Sequence, residues 1–255
     1  MTTKHPKRRP DPNSYQERTY RRRVKTGELI SYEVQIRETD LHILCSHNLR
    51  DVTTNLVLQY RAQIEKYISN HPDFLTSLTP IPCQSLAPSI VKAMQQAATA
   101  ADVGPMAAVA GAMAEFVGRG LLAEGATEVV VENGGDIFLH RQQECIIGIF
   151  AGTSPLSDKV GIRIAADRMP LGVCTSSGRI GHSLSLGQAD AVTVIATDTC
   201  LADTAATRLG NEVKNSNDIN HALAVAQTIA GLDGVVIIQD QRIGAWGNIE
   251  LVQLD

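Results

Sequence analysis

The sequence predicts an α/β protein of mixed α+β layers, a sheet with packed helices in a single domain, behind a short basic arm. Apolar residues recur with a period of two in some segments and about 3.6 in others, and both kinds of segment run the length of the chain. With 44% apolar, 20% charged and only 4% aromatic residues among 255, the core must be aliphatic and alanine-rich. No linker rich in Pro, Gly or Ser divides the chain, and no repeat argues for a solenoid. The domain is placed at residues 26–255 and the arm at 1–25.

Ile30, Tyr32, Val34 and Ile36 alternate with polar residues as a half-buried strand does, Glu38-Thr39-Asp40 turns, and Leu41, Ile43 and Cys45 return as a second strand. From Leu49 the period lengthens: Leu49, Val52, Leu56, Tyr60, Ile64 and Tyr67 share one helical face until His71-Pro72. Pro80, Pro82 and Pro88 mark an extended connection, and Ser89 is expected to cap a helix reaching Ala101. Pro105 suits the first turn of the next helix, which is rich in Ala and Gly and runs to about Leu122. Strands are expected near 128–132, 145–151, 160–164, 191–196, 235–239 and 249–252, with helices over 199–212 and 218–230 and Arg242–Gly247 as a connection.

The arm holds nine Lys or Arg against Asp11 and Glu17, so the net charge of −4 leaves about −11 on the rest. That excludes a generally basic nucleic-acid binder. The runs Lys7-Arg8-Arg9 and Arg21-Arg22-Arg23 suit phosphates or an acidic partner, or are a flexible tail leading into the first strand. The start of the chain lacks the apolar stretch of a secretory signal. Met106–Val117 carries Glu115, precedes Arg119 and is too short and charged to span a bilayer, so no membrane partner is expected. The five cysteines lack any CxxC spacing and several sit in apolar runs, which reads as buried free thiols in a cytoplasmic protein.

Three segments carry more polar and glycine residues than their neighbours explain. In Val129–Leu139 a strand enters the Gly134-Gly135 turn between Asn133 and Asp136, and a second apolar run leaves it. Adjacent glycines give a ligand room at the backbone, although Asn-Gly is also an ordinary hairpin turn. In Gly172–Ser183 the hydroxyls of Thr175, Ser176 and Ser177, with Gly178, offer donors and amides of the sort that cradle phosphates. Arg179 and His182 would add charge there; the alternative is a solvated Ser/Gly loop. On the third segment Asp203 and Thr207 stand four apart on one helical face, an oxygen pair suited to Mg²⁺ or simply polar helix residues.

The order of these segments resembles the ApbE-like superfamily, whose characterised members are Mg²⁺-dependent FAD:protein FMN transferases. The likeness spans about residues 85–215 and rests on Asp102–Val109, Glu132-Asn-Gly-Gly-Asp136, Cys174-Thr-Ser-Ser-Gly178, Val192–Ala196 and Ala202-Asp-Thr-Ala-Ala-Thr207. It is closest to an uncharacterised branch with the same Gly-Pro-Met-Ala-Ala-Val-Ala-Gly and Glu-Asn-Gly-Gly-Asp wording. The resemblance implies a cleft in which Asp203, Thr207 and the backbone carbonyl of Ala107 hold Mg²⁺. Asn133, Gly134, Gly135, Thr175, Ser176, Ser177, Gly178 and Arg179 would then hold FAD or another phosphorylated ligand. Asp136 and His182 are the candidates for proton transfer by their chemistry. Two departures stand out. The family's Lys falls at Ala108, and its Asp-Pro-x-Thr-Gly after His182 is here Ser183-Leu-Ser-Leu-Gly187. A protein that binds a phosphorylated small molecule is therefore expected. The alternatives are an active flavin transferase with an acceptor protein as partner, or a metal-dependent enzyme on another phosphate ester. A homodimer is compatible with the sequence.

Overall fold

The computed structural model of the chain describes residues 27–178 and 187–254. The basic arm and the positions Arg179, His182 and Ser183 lie outside the described residues. β1 (Ile30–Ile36) and β2 (Thr39–Cys45) form the expected hairpin, followed by α1 (Arg50–Asn70) and the one-turn α2 (Asp73–Thr76). α3 (Ser89–Ala101) starts one residue earlier than the capping expectation. Ser89 is already helical, Pro88 holds the cap position, and no side chain caps the helix. A 3-10 turn at Pro105–Ala108 runs directly into α4 (Val109–Ala123).

The second half supplies β3 (Val129–Asn133), β4 (Asp136–His140), β5 (Cys145–Gly148), β6 (Val160–Ile164), β7 (Leu171–Ser176) and β8 (Ala191–Ala196). Then come α5 (Thr199–Glu212), α6 (Ile219–Ala226), β9 (Leu232–Gln239), β10 (Arg242–Gly247) and β11 (Glu250–Gln253). Two of these correct the sequence reading. Arg242–Gly247 is not a connection but β10, paired along its length with β9. Leu171–Ser176, expected to open a Ser/Gly loop, is β7, bonded to β4 on one side and β8 on the other. Ladder partners on both sides overrode the weak strand propensity of its small polar residues.

One antiparallel sheet of eight strands runs in the order β1-β2-β3-β4-β7-β8-β9-β10, and a second of three in the order β11-β6-β5. Side chains alternate between the faces of each strand. One face of the large sheet buries Val129, Val131 and Phe138 under α1, α3 and α4, and Val192, Val194 and Val235 under α5 and α6. The other face packs Leu139, Val173, Ile195 and Val236 against Ile162 and Ile164 of the small sheet. The result is three layers: helices, large sheet, small sheet.

Pro105–Ala123, with 19 residues and a mean hydropathy of 1.3, is long and apolar enough to cross a membrane by composition alone, so its length does not exclude a span as expected. It lies against β3 and β4 and carries the buried Glu115, which makes it a core helix of this fold. Cys45, Cys174 and Cys200 are buried free thiols, Cys145 is half-buried and Cys83 is exposed.

Candidate functional site

The site forms where the starts of α4 and α5 meet the β3–β4 turn. Gly134 and Gly135 have φ of 70° and 114°, the left-handed geometry of a two-residue hairpin turn, and Asn133 and Asp136 face each other across it. Asn133 donates its side-chain amide to the Ala110 carbonyl at 3.2 Å, and Glu132 Oε1 accepts the Gly134 amide at 2.6 Å. The turn is thereby tied to the first turn of α4. The next strand is tied to it as well, because the Thr175 amide donates to the Gly135 carbonyl at 3.1 Å.

The two helices are locked by a reciprocal exchange of carboxylates. Asp203 of α5 accepts the Gly111 amide at 2.8 Å, satisfying an orphan donor of the first turn of α4. Glu115 of α4 accepts the Thr199 amide at 2.7 Å, the first residue of α5, while its other oxygen takes Arg119 at 2.7 Å. Each carboxylate sits at the positive end of the other helix. The helices approach so closely that a Cβ on Gly111 would stand 2.6 Å from the Thr199 carbonyl oxygen and 2.8 Å from Asp203 Cβ. Gly111→Ala gains about 1 kcal/mol of helix propensity, but the obstacle is backbone, and overpacking of this kind costs about 1–3 kcal/mol or more. A lower denaturation midpoint is expected; a stabilised variant would show that the helices can part freely.

Asp136 and Asp203 are both buried. Burial holds the Asp203 carboxyl well above its ordinary range, the Asp136 charge pushes it further, and the Gly111 and Ala110 amides pull back only in part. Beneath them Cys174, the cross-strand partner of Asp136, is fully buried, with its sulfur 3.5 Å from the Thr199 carbonyl. Burial raises its thiol well above the usual value, and Asp136 and Asp203 raise it further. The thiol stays protonated and does not compete as a thiolate ligand.

The structure therefore brings Asn133, Gly134, Gly135, Asp136, Thr175, Ser176 and Asp203 to one region, with Thr207 one turn beyond Asp203 on α5 and half-buried. Ala107 belongs to the 3-10 turn that packs on α5, four residues before the Gly111 amide that Asp203 holds. Thr175 is hydrogen-bonded to Thr193 at 2.9 Å, on the sheet face opposite Cys174 and Ser176, and the Gly178 amide is taken by the Ala189 carbonyl at 2.9 Å. Neither Thr175 nor Gly178 therefore presents the open amide expected of a phosphate-cradling loop. Ser177 has interactions of its own. Sequence reasoning missed Glu115, Gly111 and Cys174. A lone acid and a glycine inside an Ala-rich helix were the available signal for the first two.

Carboxylates, a hydroxyl and a backbone carbonyl make an oxygen-only donor set, which fits Mg²⁺ rather than a thiophilic metal. A second group, Glu115, Asp198 and Cys200, has ligand atoms within 4.8 Å of one another. There Glu115 is committed to Thr199 and Arg119, Asp198 caps α5 through the Leu201 amide, and burial keeps the Cys200 thiol protonated. Those residues build the helix start.

The Gly-Gly-Asp turn beside an Asp-bearing helix is the arrangement implied by the resemblance to the ApbE-like family. The chain belongs to it: the family model described as "AbpE bacteria" matches residues 21–238. A UPF0280 protein of Methanococcus aeolicus is 40% identical over 233 residues, 89% of this chain and 94% of the relative. That of Methanocaldococcus jannaschii is 42% identical over 206 residues, 78% and 83%. Pseudomonas stutzeri flavinyl transferase ApbE in its apo form shares the fold with a TM-score of 0.56 at 16% identity, over 86% of this chain and 93% of that one. The ApbE protein of Thermotoga maritima does so with a TM-score of 0.55 at 13% identity, over 85% and 96%.

Proposed function

We propose that this chain binds a phosphorylated small molecule of the flavin-nucleotide class together with Mg²⁺, in the cleft between the Gly134-Gly135 turn and the start of α5. The observation that carries the reading is Asp203. Its carboxylate is buried and anchored by the Gly111 amide near the buried Asp136, an oxygen donor whose charge a bound cation would neutralise. Asp203 and Thr207, with the Ala107 carbonyl, would hold the ion. When bound, Mg²⁺ would supply positive charge to phosphate oxygens and to charge developing during phosphoryl transfer. The chain's own residues orient the donors: Gly111 fixes the Asp203 carboxylate, and Asn133 ties the β3–β4 turn to the first turn of α4. Ser176, Ser177 and Arg179 are the further ligand contacts in this reading, in a cytoplasmic protein.

The alternative is a working FAD:protein FMN transferase, which the solved relatives' flavin transferase names favour. Asp136 and His182 would then handle protons, and a protein hydroxyl would accept the flavin. Titrating FAD and FMN into the chain while following flavin fluorescence, with Mg²⁺ or with EDTA, tests the binding reading. Saturable binding with Mg²⁺, lost in EDTA and in Asp203→Ala, is expected. Binding that ignores both would refute the metal-held ligand.

A further inference from the structure

We propose that the chain carries a second small-molecule site, in the cavity between α1 and the turn that precedes α3, and that it takes an amphipathic monocarboxylate. The cavity shares no lining residue with the cleft described above, and the inference does not rest on the flavin-nucleotide reading.

The cavity has a volume of about 490 Å³, inside the range of roughly 300–1,000 Å³ that small-molecule pockets occupy. Its floor is one face of α1, where Ala62, Gln63, Lys66, Tyr67 and Asn70 recur at helical spacing, and His71 closes the end. The opposite wall is the segment 84–88. There the Ala87 amide donates to the Gln84 carbonyl at 3.1 Å, closing a turn that holds Leu86 outward at 97% exposure. Gln95 of α3 fixes the two walls to each other. It is fully buried and donates its side-chain amide to the Tyr67 hydroxyl at 3.3 Å and to the Pro82 carbonyl at 3.1 Å. The site is thus built before a ligand arrives, which spares the cost of ordering its walls.

Charge and polar atoms identify the occupant. None of the lining residues is Asp or Glu, although the chain beyond its basic arm carries a net charge of about −11. Lys66 is exposed, and among the described residues no carboxylate pairs with it; the adjacent Glu65 is taken by Arg61 at 2.8 Å and Arg37 at 3.3 Å. An unpaired ammonium on an acid-free cavity selects an anion. Tyr67 adds a second donor. Its hydroxyl accepts from Gln95, which leaves its own proton for an acceptor in the cavity, and its ring is held by Phe74 at 5.1 Å and His71 at 4.4 Å. Gln95 Oε1 is buried without a partner, so the fold does not saturate the polar atoms behind Tyr67. The rest of the wall is apolar: Leu86, Ala87, Pro88 and Ala62 offer only side-chain carbon, and Leu86 gains by being covered. A carboxylate head on an aliphatic or aromatic tail meets both halves. A phosphate would leave the apolar wall in water and part of its charge unmatched.

Isothermal titration of octanoate and of phenylacetate into the full chain in EDTA, with octanol and inorganic phosphate as comparison probes, tests this directly. Saturable binding of a carboxylate is expected, with octanol and phosphate weaker by about tenfold, the worth of one hydrogen bond to a charged group. Lys66→Gln should weaken carboxylate binding by the same factor, and Leu86→Ser should weaken it severalfold. Both positions are exposed, so both variants should melt as wild type does. Lys159→Gln, an exposed position beside β6 of the small sheet, should bind as wild type. Octanoate that binds Lys66→Gln as well as wild type, or no better than octanol does, overturns the proposal, as does the lack of saturable binding by either carboxylate. Displacement of octanoate by FAD with Mg²⁺ would place the anion in the cleft and refute a second site. Sedimentation that shows a dimer, dissociated by Leu86→Ser and indifferent to octanoate, would make the cavity an interface between copies and refute the ligand.

Discussion

Incubated with FAD, Mg²⁺ and a flavin-acceptor protein, this chain is expected to label the acceptor slowly or not at all. The resemblance places a Lys of the transferases at Ala108, and Ala108 is fully buried where the 3-10 turn hands over to α4. Alanine supplies no cation to meet a phosphate or neutralise developing charge. Loss of one preorganised group costs about 2.7–4 kcal/mol of transition-state stabilisation by analogy with oxyanion-hole deletions, roughly a hundredfold to a thousandfold in rate. The altered stretch after His182 removes further polar groups that would orient the nucleotide. In-gel fluorescence of the acceptor reads the outcome. Robust labelling by wild type that vanishes in Asp203→Ala would mean these departures carry little weight.

The second large effect concerns stability against pH without metal. Asp203 in the folded chain holds its proton to well above the ordinary value of 3.8, so the folded state binds more protons than the unfolded state over the interval between. The contribution of this group is therefore complete below the ordinary value and is lost as pH rises toward the raised one. Asp203→Asn keeps an oxygen for the Gly111 amide and removes the charge beside Asp136. At neutral pH in EDTA it should melt higher than wild type, each kcal/mol relieved appearing as about 2–4 °C at this chain length. The difference should shrink as the pH falls below the ordinary carboxylate range. A variant that melts lower at neutral pH, or a difference independent of pH, would show that the Asp203 charge is already balanced in the free protein.

Much of this architecture was legible in the pattern of apolar residues. The β1–β2 hairpin and α1 follow from a change of period at Leu49, and α5 begins and ends at Thr199 and Glu212 as read from the sequence. β7 and β10 were not legible, because Gly172, Thr175 and Ser176 in one and Gly244 and Gly247 in the other dilute the alternation that a strand shows. Their neighbours in the sheet make them strands, and neighbours are long-range information. The site divides in the same way. Asp203, Thr207 and the Gly-Gly turn stood out as motifs. The exchange of carboxylates between Asp203 and Gly111 and between Glu115 and Thr199 joins residues 92 and 84 positions apart, and no local spacing encodes it. Thr175 looked like a ligand-facing hydroxyl because of its Ser-rich surroundings, yet the Gly135 carbonyl takes its amide and Thr193 pairs with its hydroxyl.

The central claim is that Asp203 anchors a divalent cation shared with a phosphorylated ligand, and its most direct test is a thermal melt of wild type and Asp203→Ala with neither addition, Mg²⁺, FAD, or both. A ligand at a hundredfold excess over its Kd stabilises the native state by about 2.7 kcal/mol, or roughly 5–10 °C for a chain of this size. Wild type should rise by that order with Mg²⁺ and FAD together and by less with either alone, while Asp203→Ala stays folded and shows no Mg²⁺-dependent shift. A wild type whose midpoint ignores millimolar Mg²⁺ under every condition would contradict the account and leave Asp203 as the carboxylate that caps α4.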